Sequence, residues 1–286
     1  MRDFTFDTYR CLLTAILEAG YAFYTFEDWC DGKALGRYVI LRHDVDLKAE
    51  NSLIIAGIES EMGIRATYYF RIVRQSNQPS VIKAIAKLGH EIGYHYEDLS
   101  IMHGDKKAAI THFKFQLNYF RQFYPVRTIC MHGSPFSKWD NRNLWKTTEY
   151  LNYGVIGEPY FDFLTPKTDA DTQKNYFTDT GRMWDGEKSN LRDKMMSDKL
   201  NSDKNNSKGS KINTQMLKVS IDADKKKLIH STFDLINRFK TSPIEKEIMI
   251  TTHPQRWTNK TGPWYLELVK QNVKNIIKKI IVSNRK

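Results

Sequence analysis

The sequence predicts an α/β fold built on a parallel sheet. Short apolar runs alternate along the chain with longer segments whose apolar residues recur every three or four positions. Strands and helices that alternate in this way form βαβ units, in which the strands run parallel. The 286 residues, 41% of them hydrophobic and 13% aromatic, can bury a sizeable core. The residue pattern leaves open whether the sheet is open or closes into a barrel.

The first half of the chain contains the clearest alternation. The helix predicted over residues 47–62 places Leu53, Ile54 and Ile58 on one side, and Pro79 suits the first turn of the helix that follows it. The predicted elements are, in chain order, a helix over residues 6–19, a strand over 37–42, a helix over 47–62, a strand over 65–72, a helix over 80–88, a strand over 91–94 and a helix over 105–124.

The second half has shorter strands and one polar interruption. Its predicted elements are strands over residues 127–131, 154–156, 176–178 and 248–252, a helix over 141–150 and a closing amphipathic helix over 264–282. Residues 198–215 are rich in Gly, Ser, Asn and Lys and lack hydrophobic period. We interpret them as the mobile part of a polar insertion near residues 187–227, within a single domain that covers residues 1–286.

The net charge of +11 raises the hypothesis of a nucleic-acid-binding protein. Residues 187–227 hold eleven Lys or Arg against six Asp or Glu, and residues 270–286 hold six against none. These two segments carry the whole surplus, so the charge is not mixed into the folded body. We therefore favour a solvated loop and a lysine-rich helix face, and expect no nucleic-acid partner.

The cysteine pattern and the hydropathy of the chain indicate the cellular compartment in which we expect the protein. The three cysteines are an odd number and include no CxxC pair, so neither a disulfide framework nor a thiolate zinc site is indicated. No apolar run approaches the roughly 20 residues of a membrane span, and the first apolar run lacks the features of a signal peptide. We expect a soluble cytoplasmic protein.

Ionisable side chains gather where the predicted strands end. The carboxyl ends of four strands are followed or flanked by Asp44 and Asp46, by His95 with Glu97 and Asp98, by His132, and by His253. In parallel α/β folds these ends meet on one face, which is where active sites lie. Asp and His ligands suit zinc or another divalent ion, which activates water for hydrolysis of an amide or ester. A carboxylate can then accept a proton and an imidazole can donate one.

Five stretches of the chain resemble the motifs of a known family in both residues and order, namely "LRHDVD", "GHEIGYHYEDLS", "HGSPFSKWDN", "YFTDTGRMWDG" and "ITTHPQRW". Through these stretches the chain resembles the polysaccharide deacetylase family, also called the NodB-homology or carbohydrate esterase family. They look most like its divergent HDVD-type branch of surface-polysaccharide biosynthesis proteins. The resemblance implies a deformed (β/α) barrel and metal-dependent deacetylation of N-acetylated sugars.

The same resemblance implies roles for individual residues. Asp44 matches the catalytic base, Asp46 the metal-binding aspartate, His95 the first metal histidine and His253 the general acid. The family usually has a second metal histidine four residues after the first, where this chain has Leu99.

The missing histidine leaves the third metal ligand open. We rank Glu97 first because it is nearest to His95, with Asp98, His103 and His132 as further candidates. A degenerate member that binds sugar or serves as a scaffold without turnover is the rival hypothesis that Leu99 motivates.

Aromatic and basic residues near the motifs are candidate substrate contacts. The candidates are His132, Trp139, Trp184, Arg256 and Trp257. Trp rings stack on sugar faces, but they also pack in cores, and the residue pattern allows both interpretations. Arg256 and Arg182 either orient an acidic group or pair with Asp179 and Asp185. Together with the predicted metal site, the resemblance to the deacetylase family implies a metal-dependent enzyme, with zinc as the expected metal, that removes the acetyl group from an N-acetylated sugar of a surface polysaccharide or its precursor.

Overall fold

Parallel strands form one curved sheet at the centre of the molecule. The computed structural model describes residues 1–134, 137–145, 149–165, 175–184, 229–241 and 246–283. The strands are β1 (Ala22–Tyr24), β2 (Tyr38–Val45), β3 (Thr67–Phe70), β4 (Glu91–Tyr96), β5 (Ile129–Met131), β6 (Asn175–Thr178) and β7 (Glu247–Thr252). The helices are α1 (Phe6–Glu18), α2 (Phe26–Cys30), α3 (Ala49–Glu61), α4 (Pro79–Lys87), α5 (Asp98–Ile101), α6 (Lys106–Phe120), α7 (Pro159–Asp162), α8 (Thr232–Thr241) and α9 (Thr261–Ser283).

The strand order is β5-β4-β3-β2-β7-β6, and every pairing between these strands is parallel. β1 lies beside the first half of β2, and β3 pairs with its second half. Among the described residues, β5 and β6 end this path and are not joined to each other. The fold is therefore the predicted α/β class, a deformed barrel that these pairings leave incomplete.

β2 is the longest strand and pairs with three others, with β1 and β3 along one edge and with β7 along the other. All eight of its residues are buried. Side chains alternate between the two faces of a strand, so Arg42 and Asp44 point to one side and His43 to the other. The first side becomes the floor of a cavity, whereas His43 contacts Glu59 of α3.

The helices pack through the faces that their periodicity predicts. In α1 the buried side chains Tyr9, Leu12, Leu13 and Ile16 recur at helical spacing. Thr5 caps this helix, since its Oγ1 accepts a hydrogen bond from the Thr8 N–H at 3.1 Å. The helix thereby covers the face of β2 that carries His43, where Tyr9 meets Glu59.

Several predicted elements differ from the observed ones. Residues 141–150 were expected to form one helix, but Asn141–Leu144 and Glu149–Tyr153 are separate 3-10 turns, and Trp145 between them is extended. The strand expected over residues 154–156 is absent from the described part of the chain, which has there only a bridge between Thr128 and Gly157.

Five elements were not predicted. β1, α2, α5 and α7 are too short to show a period, and α8 begins soon after the polar insertion. The insertion at 187–227, including 198–215, lies outside the described residues. Of the helices described, none is long and apolar enough to cross a bilayer.

Candidate active site

A cavity of about 680 Å³ opens at the carboxyl ends of the strands. Seven predicted site residues line it, namely Asp44, Asp46, His95, Glu97, His132, His253 and Arg256. They follow or end β2, β4, β5 and β7, so the parallel sheet brings the four predicted strand ends together. Trp139, Trp184 and Trp257 do not belong to the lining.

Asp46 has a buried carboxylate oxygen that lacks a partner. Its Oδ1 accepts no hydrogen bond from the described residues, while Oδ2 lies 3.3 Å from Gln255 Nε2. Oδ1 stands 3.7 Å from His95 Nε2 and 3.5 Å from His132 Nε2. Burial acts to raise the pKa of Asp46, whereas positive charge on a protonated His132, His253 or His95 acts to lower it below its usual range. The carboxylate of Asp46 therefore favours a positive charge beside it.

His95 presents an unprotonated nitrogen to Asp46. Its Nδ1 lies 2.9 Å from the carbonyl oxygen of Cys130, which only accepts, so Nδ1 carries the proton and donates it. Nε2 therefore directs a lone pair at the two aspartates. Burial lowers the pKa of His95 to about 4, so the ring is neutral at physiological pH. A neutral imidazole oriented through Nδ1 is the form that binds metals.

His132 is oriented in the same way by a carboxylate. Its Nδ1 lies 2.9 Å from Glu97 Oε2 and 3.0 Å from Ser134 Oγ. Donation from Nδ1 to the carboxylate leaves Nε2 as the ring nitrogen that faces Asp46. This carboxylate–histidine arrangement is common behind metal ligands.

Glu97 lies behind His132 and is held by several donors. Arg71 donates two hydrogen bonds to this carboxylate, from Nε to Oε1 at 2.9 Å and from Nη2 to Oε2 at 2.8 Å. Burial acts to raise the pKa of Glu97, but His132 and Arg71 lower it to about 2. The structure thus places the imidazole of His132 next to Asp46, at the position expected of Glu97.

Asp98 and His103, which the sequence also suggests as a third ligand, do not line the cavity. Asp98 is fully buried and accepts hydrogen bonds from Tyr94 Oη and His112 Nδ1. His103 contacts the Trp139 ring. Both side chains are therefore engaged outside the cavity.

Asp44 forms a two-pronged ion pair with Arg42. Arg42 Nε lies 2.8 Å from Oδ1 and Nη2 lies 2.7 Å from Oδ2, and both side chains are buried. Burial acts to raise the pKa of Asp44, but the guanidinium of Arg42 is the main cause that lowers it to about 2. Asp44 Oδ2 also lies 3.7 Å from His95 Nε2. The guanidinium fixes the orientation of an ionised carboxylate in the cavity floor.

On the opposite wall, Asp179 organises His253. Asp179 Oδ1 lies 2.6 Å from His253 Nδ1, and Oδ2 accepts from the Trp257 indole at 2.9 Å. Arg256 Nη1 also donates to Oδ1 at 2.7 Å. Nδ1 is therefore occupied, and Nε2 is the His253 nitrogen available to a substrate. The predicted pairing of Arg256 with Asp179 is present.

The three tryptophans pack rather than face the cavity. Trp257 is 0% exposed and contacts Phe4 and Tyr9. Trp184 is 2% exposed, and its indole donates to Thr232 Oγ1 at 3.0 Å. Trp139 lies against Gly104. Of the two interpretations of these rings, the structure shows core packing.

Three residues that contact the predicted site residues Asp44, Glu97 and His253 were not among the sequence candidates, namely Arg42, Arg71 and Asp179. Arg42 precedes Asp44 by two positions. The alternation of side chains along a strand therefore predicts that the two lie on the same face. Arg71 directly follows β3, and Asp179 directly follows β6, so both meet the strand-end criterion that identified the histidines. Asp179 was considered only as a partner for arginine.

One set of described side chains has three ligand atoms within 4.8 Å of one another, namely Asp44, His95 and Cys130. However, Arg42 already occupies both oxygens of Asp44. A second set has two of the three short separations that a metal ion needs. Ligand atoms about 2.0–2.2 Å from one tetrahedral zinc ion are about 3.4 Å apart, and Asp46 Oδ1 lies 3.7 Å from His95 Nε2 and 3.5 Å from His132 Nε2. The three ligand atoms of this set are not all within 4.8 Å of one another, so the two imidazoles must move together to share an ion with Asp46.

Comparisons with known proteins give one similar structure. No protein-family model matches the chain, and no curated protein matches it. The chain is similar to a solved structure described as a family 4 carbohydrate esterase from Streptomyces lividans in complex with acetate. The identity is 14%, the match covers 84% of this chain and 90% of that chain, and the TM-score is 0.35. At this level the similarity supports no residue assignment.

Proposed function

We propose that this chain is a metal-dependent hydrolase that removes the acetyl group from an N-acetylated sugar of a surface polysaccharide or its precursor. The observation that carries the proposal is Asp46 Oδ1, a buried carboxylate oxygen that accepts no hydrogen bond from the described residues and lies 3.7 Å from His95 Nε2 and 3.5 Å from His132 Nε2. Leaving such an oxygen unsatisfied is costly, and a bound cation removes the cost. The substrate class rests on the resemblance of the five motifs to the deacetylase family.

The proposed ligands are Asp46, His95 and His132, with Glu97 as the carboxylate that orients His132. This set replaces the sequence-based choice of Glu97, whose two oxygens are engaged by Arg71 and His132. One carboxylate and two imidazoles suit zinc. When bound, such an ion supplies Lewis-acid activation of a water molecule and of the amide carbonyl.

Asp44 is the proposed acceptor of the proton from the attacking water. Its pKa of about 2 keeps it ionised, and the Arg42 pair fixes its direction. A carboxylate with so low a pKa is a weak base in water. Its contribution therefore depends on position in the closed cavity floor more than on basicity.

His253 is the proposed donor to the departing amine. Its Nδ1 proton is held by Asp179, so Nε2 is the atom that can carry and release a proton towards the cavity. The negative charge of Asp179 stabilises the imidazolium form, as a carboxylate does in other acid–base pairs. Acid and base thus stand on different strand ends, one after β7 and the other in β2.

Metal content and acetate release test the proposal together. The protein is stripped with chelator, reloaded with zinc, and analysed for bound metal and for acetate released from a panel of N-acetylated sugars. We expect about one zinc ion per chain in the wild type and its loss in His95→Ala and His132→Ala. His112→Ala is the matched control because His112 contacts Asp98 outside the cavity. A wild type that binds no zinc, or a zinc-loaded wild type that releases no acetate, contradicts the proposal.

The rival function is sugar binding without turnover. Leu99 motivated it, and this residue is buried in the core with no role in the cavity lining. His132 supplies an imidazole near Asp46 from another strand end, so the absence of a histidine at position 99 does not leave the site without a second one. The rival predicts sugar affinity that chelators do not change.

A further inference from the structure

Helix α9 exposes a continuous apolar face. Six of its large side chains are between 41% and 59% exposed, namely Tyr265, Leu266, Val269, Val273, Ile276 and Ile277. At about 100° per residue they occupy an arc of about 120° on one side of the helix. Apolar side chains are scattered singly on most surfaces, whereas a stripe of this kind marks a contact surface.

The opposite face of α9 fixes how the helix lies on the protein. The Trp264 indole donates to the Asp3 carbonyl oxygen at 2.6 Å, and Asn275 Nδ2 donates to the Gly181 carbonyl oxygen at 3.1 Å. Gln271 is only 4% exposed. The helix is therefore anchored along one side, and the apolar stripe is directed away from the body.

Lysines border the stripe on the side of the cavity. Lys270 and Lys274 are exposed, line the rim of the cavity, and pair with no acidic side chain among the described residues. From Lys270 to the end of the chain the sequence contains six Lys or Arg and no Asp or Glu. The second half of the segment that carries the apolar stripe thus contains Lys270 and Lys274, and four more Lys or Arg follow the stripe in the sequence.

We propose that this face of α9 docks on an anionic lipid surface. An amphipathic helix with an apolar stripe flanked by lysines lies in the plane of a membrane interface, with its apolar side chains among the headgroups and its cations near lipid phosphates. No described helix can span a bilayer, so the contact is peripheral. A second copy of the chain is a poorer occupant because a symmetric contact brings two cationic segments together.

Docking through this face puts the mouth of the cavity beside the membrane. Lys270 and Lys274 belong both to the cavity rim and to the border of the stripe. The docked cavity therefore opens at the level of the lipid headgroups. The inference concerns the surface of α9 and does not depend on the hydrolase activity.

Vesicle co-sedimentation tests the proposal on the full chain. The probes are vesicles of phosphatidylcholine alone and of phosphatidylcholine mixed with phosphatidylglycerol. The variant combines Val269→Ser, Val273→Ser and Ile276→Ser, and the matched control combines Ile54→Ser and Phe115→Ser, two apolar residues exposed on α3 and α6. We expect the wild type and the control to bind the anionic vesicles, and the variant to bind more than about tenfold more weakly.

The lysines and the ionic strength provide a second readout. Lys270→Gln and Lys274→Gln are each expected to weaken binding to anionic vesicles about fivefold, and high salt is expected to weaken the binding of the wild type. Circular dichroism melting establishes that the variants are folded. In a Cys11→Ser background, an environment-sensitive dye on Val273→Cys should shift to shorter wavelength with anionic vesicles, whereas the dye on Phe115→Cys should not.

Three results overturn the proposal. The first is a wild type that stays in the supernatant with anionic vesicles. The second is a folded triple variant that binds them as tightly as the control. The third is a wild type that light scattering shows to be a dimer and that the triple variant converts to a monomer, because the stripe is then the contact between two copies.

Discussion

His43 Nε2 lies 2.7 Å from Glu59 Oε1, on the face of β2 opposite Asp44. Glu59 is fully buried, and the hydroxyls of Tyr9 and Tyr68 also donate to it. The other ring nitrogen of His43, Nδ1, lies 2.6 Å from Thr252 Oγ1. The histidine of the "HDVD" stretch therefore belongs to a buried polar cluster that ties α1 and α3 to the sheet, and not to the cavity.

Glu59→Ala should destabilise the fold strongly. The substitution leaves two tyrosine hydroxyls and an imidazole buried without their acceptor, and we expect a loss of about 3–5 kcal/mol in the free energy of unfolding. Urea denaturation measures it. Glu61→Ala is the control, since Glu61 is exposed on the same helix and its pair with Arg10 contributes less than about 1 kcal/mol. Equal midpoints for the two variants would refute the cluster's role.

Arg71→Met should weaken zinc binding without unfolding the protein. Arg71 holds Glu97, and Glu97 holds His132, so the substitution frees the imidazole to turn away from Asp46. We expect a rise of about 10–100-fold in the zinc dissociation constant, measured by competition with a coloured chelator. Arg74→Met, at an exposed neighbouring arginine, is the control. Unchanged affinity in Arg71→Met would mean that His132 is not held through this chain of contacts.

Asp179→Asn should reduce turnover while the metal stays bound. The amide no longer favours a proton on His253 Nδ1 and no longer stabilises the imidazolium. We expect kcat for acetate release to fall roughly a hundredfold or more, with zinc content unchanged. Steady-state kinetics and elemental analysis on the same samples measure the two quantities. A variant that keeps wild-type kcat removes His253 from the proposed role of acid.

Glu91→Gln should change how stability depends on pH. Burial raises the pKa of Glu91 from 4.5 to about 7, against hydrogen bonds from Thr128, Thr67 and the Glu27 N–H. Because the folded-state pKa is the higher one, the stabilising contribution is complete below about pH 4.5 and is lost as pH rises through about 7. The glutamine does not titrate, so its stability relative to the wild type should improve by up to about 3 kcal/mol over that window.

Urea denaturation at several pH values tests this prediction. Glu18→Gln, at an exposed glutamate of α1, is the control and should leave the pH dependence as it is in the wild type. If the difference in unfolding free energy between wild type and Glu91→Gln is constant across the window, Glu91 is not protonated in the folded protein.

Much of the site follows from short-range rules. The period of two in a strand places Asp44 and Asp46 on one face, and the parallel topology brings four strand ends together. Both rules need only the local sequence, and both are confirmed by the cavity lining. The same period also places Arg42 beside Asp44, a pairing that sequence reasoning had the means to find and did not.

Glu97 is oriented by side chains that are distant from it in sequence. Glu97 and His132 are separated by 35 positions, and the side chain of Arg71 decides which of them faces Asp46. Likewise, Trp184 and Trp257 are buried by contacts with segments far along the chain, such as Thr232 and Phe4. Such contacts leave no periodic trace in the sequence, so local patterns do not distinguish a stacking ring from a core ring.

The side chains proposed to bind the metal follow strands that differ in the number of neighbouring strands bonded to them. Asp46 follows β2, which is bonded to β3 and β7 on its two edges, whereas His132 follows the three-residue β5, which pairs with β4 at the end of the strand path. Amide hydrogen exchange should therefore be slowest in β2 and faster in β5, where local opening breaks fewer bonds. We therefore expect the lifetime of the proposed metal ion to depend on local opening at His132, while Asp46 keeps its position.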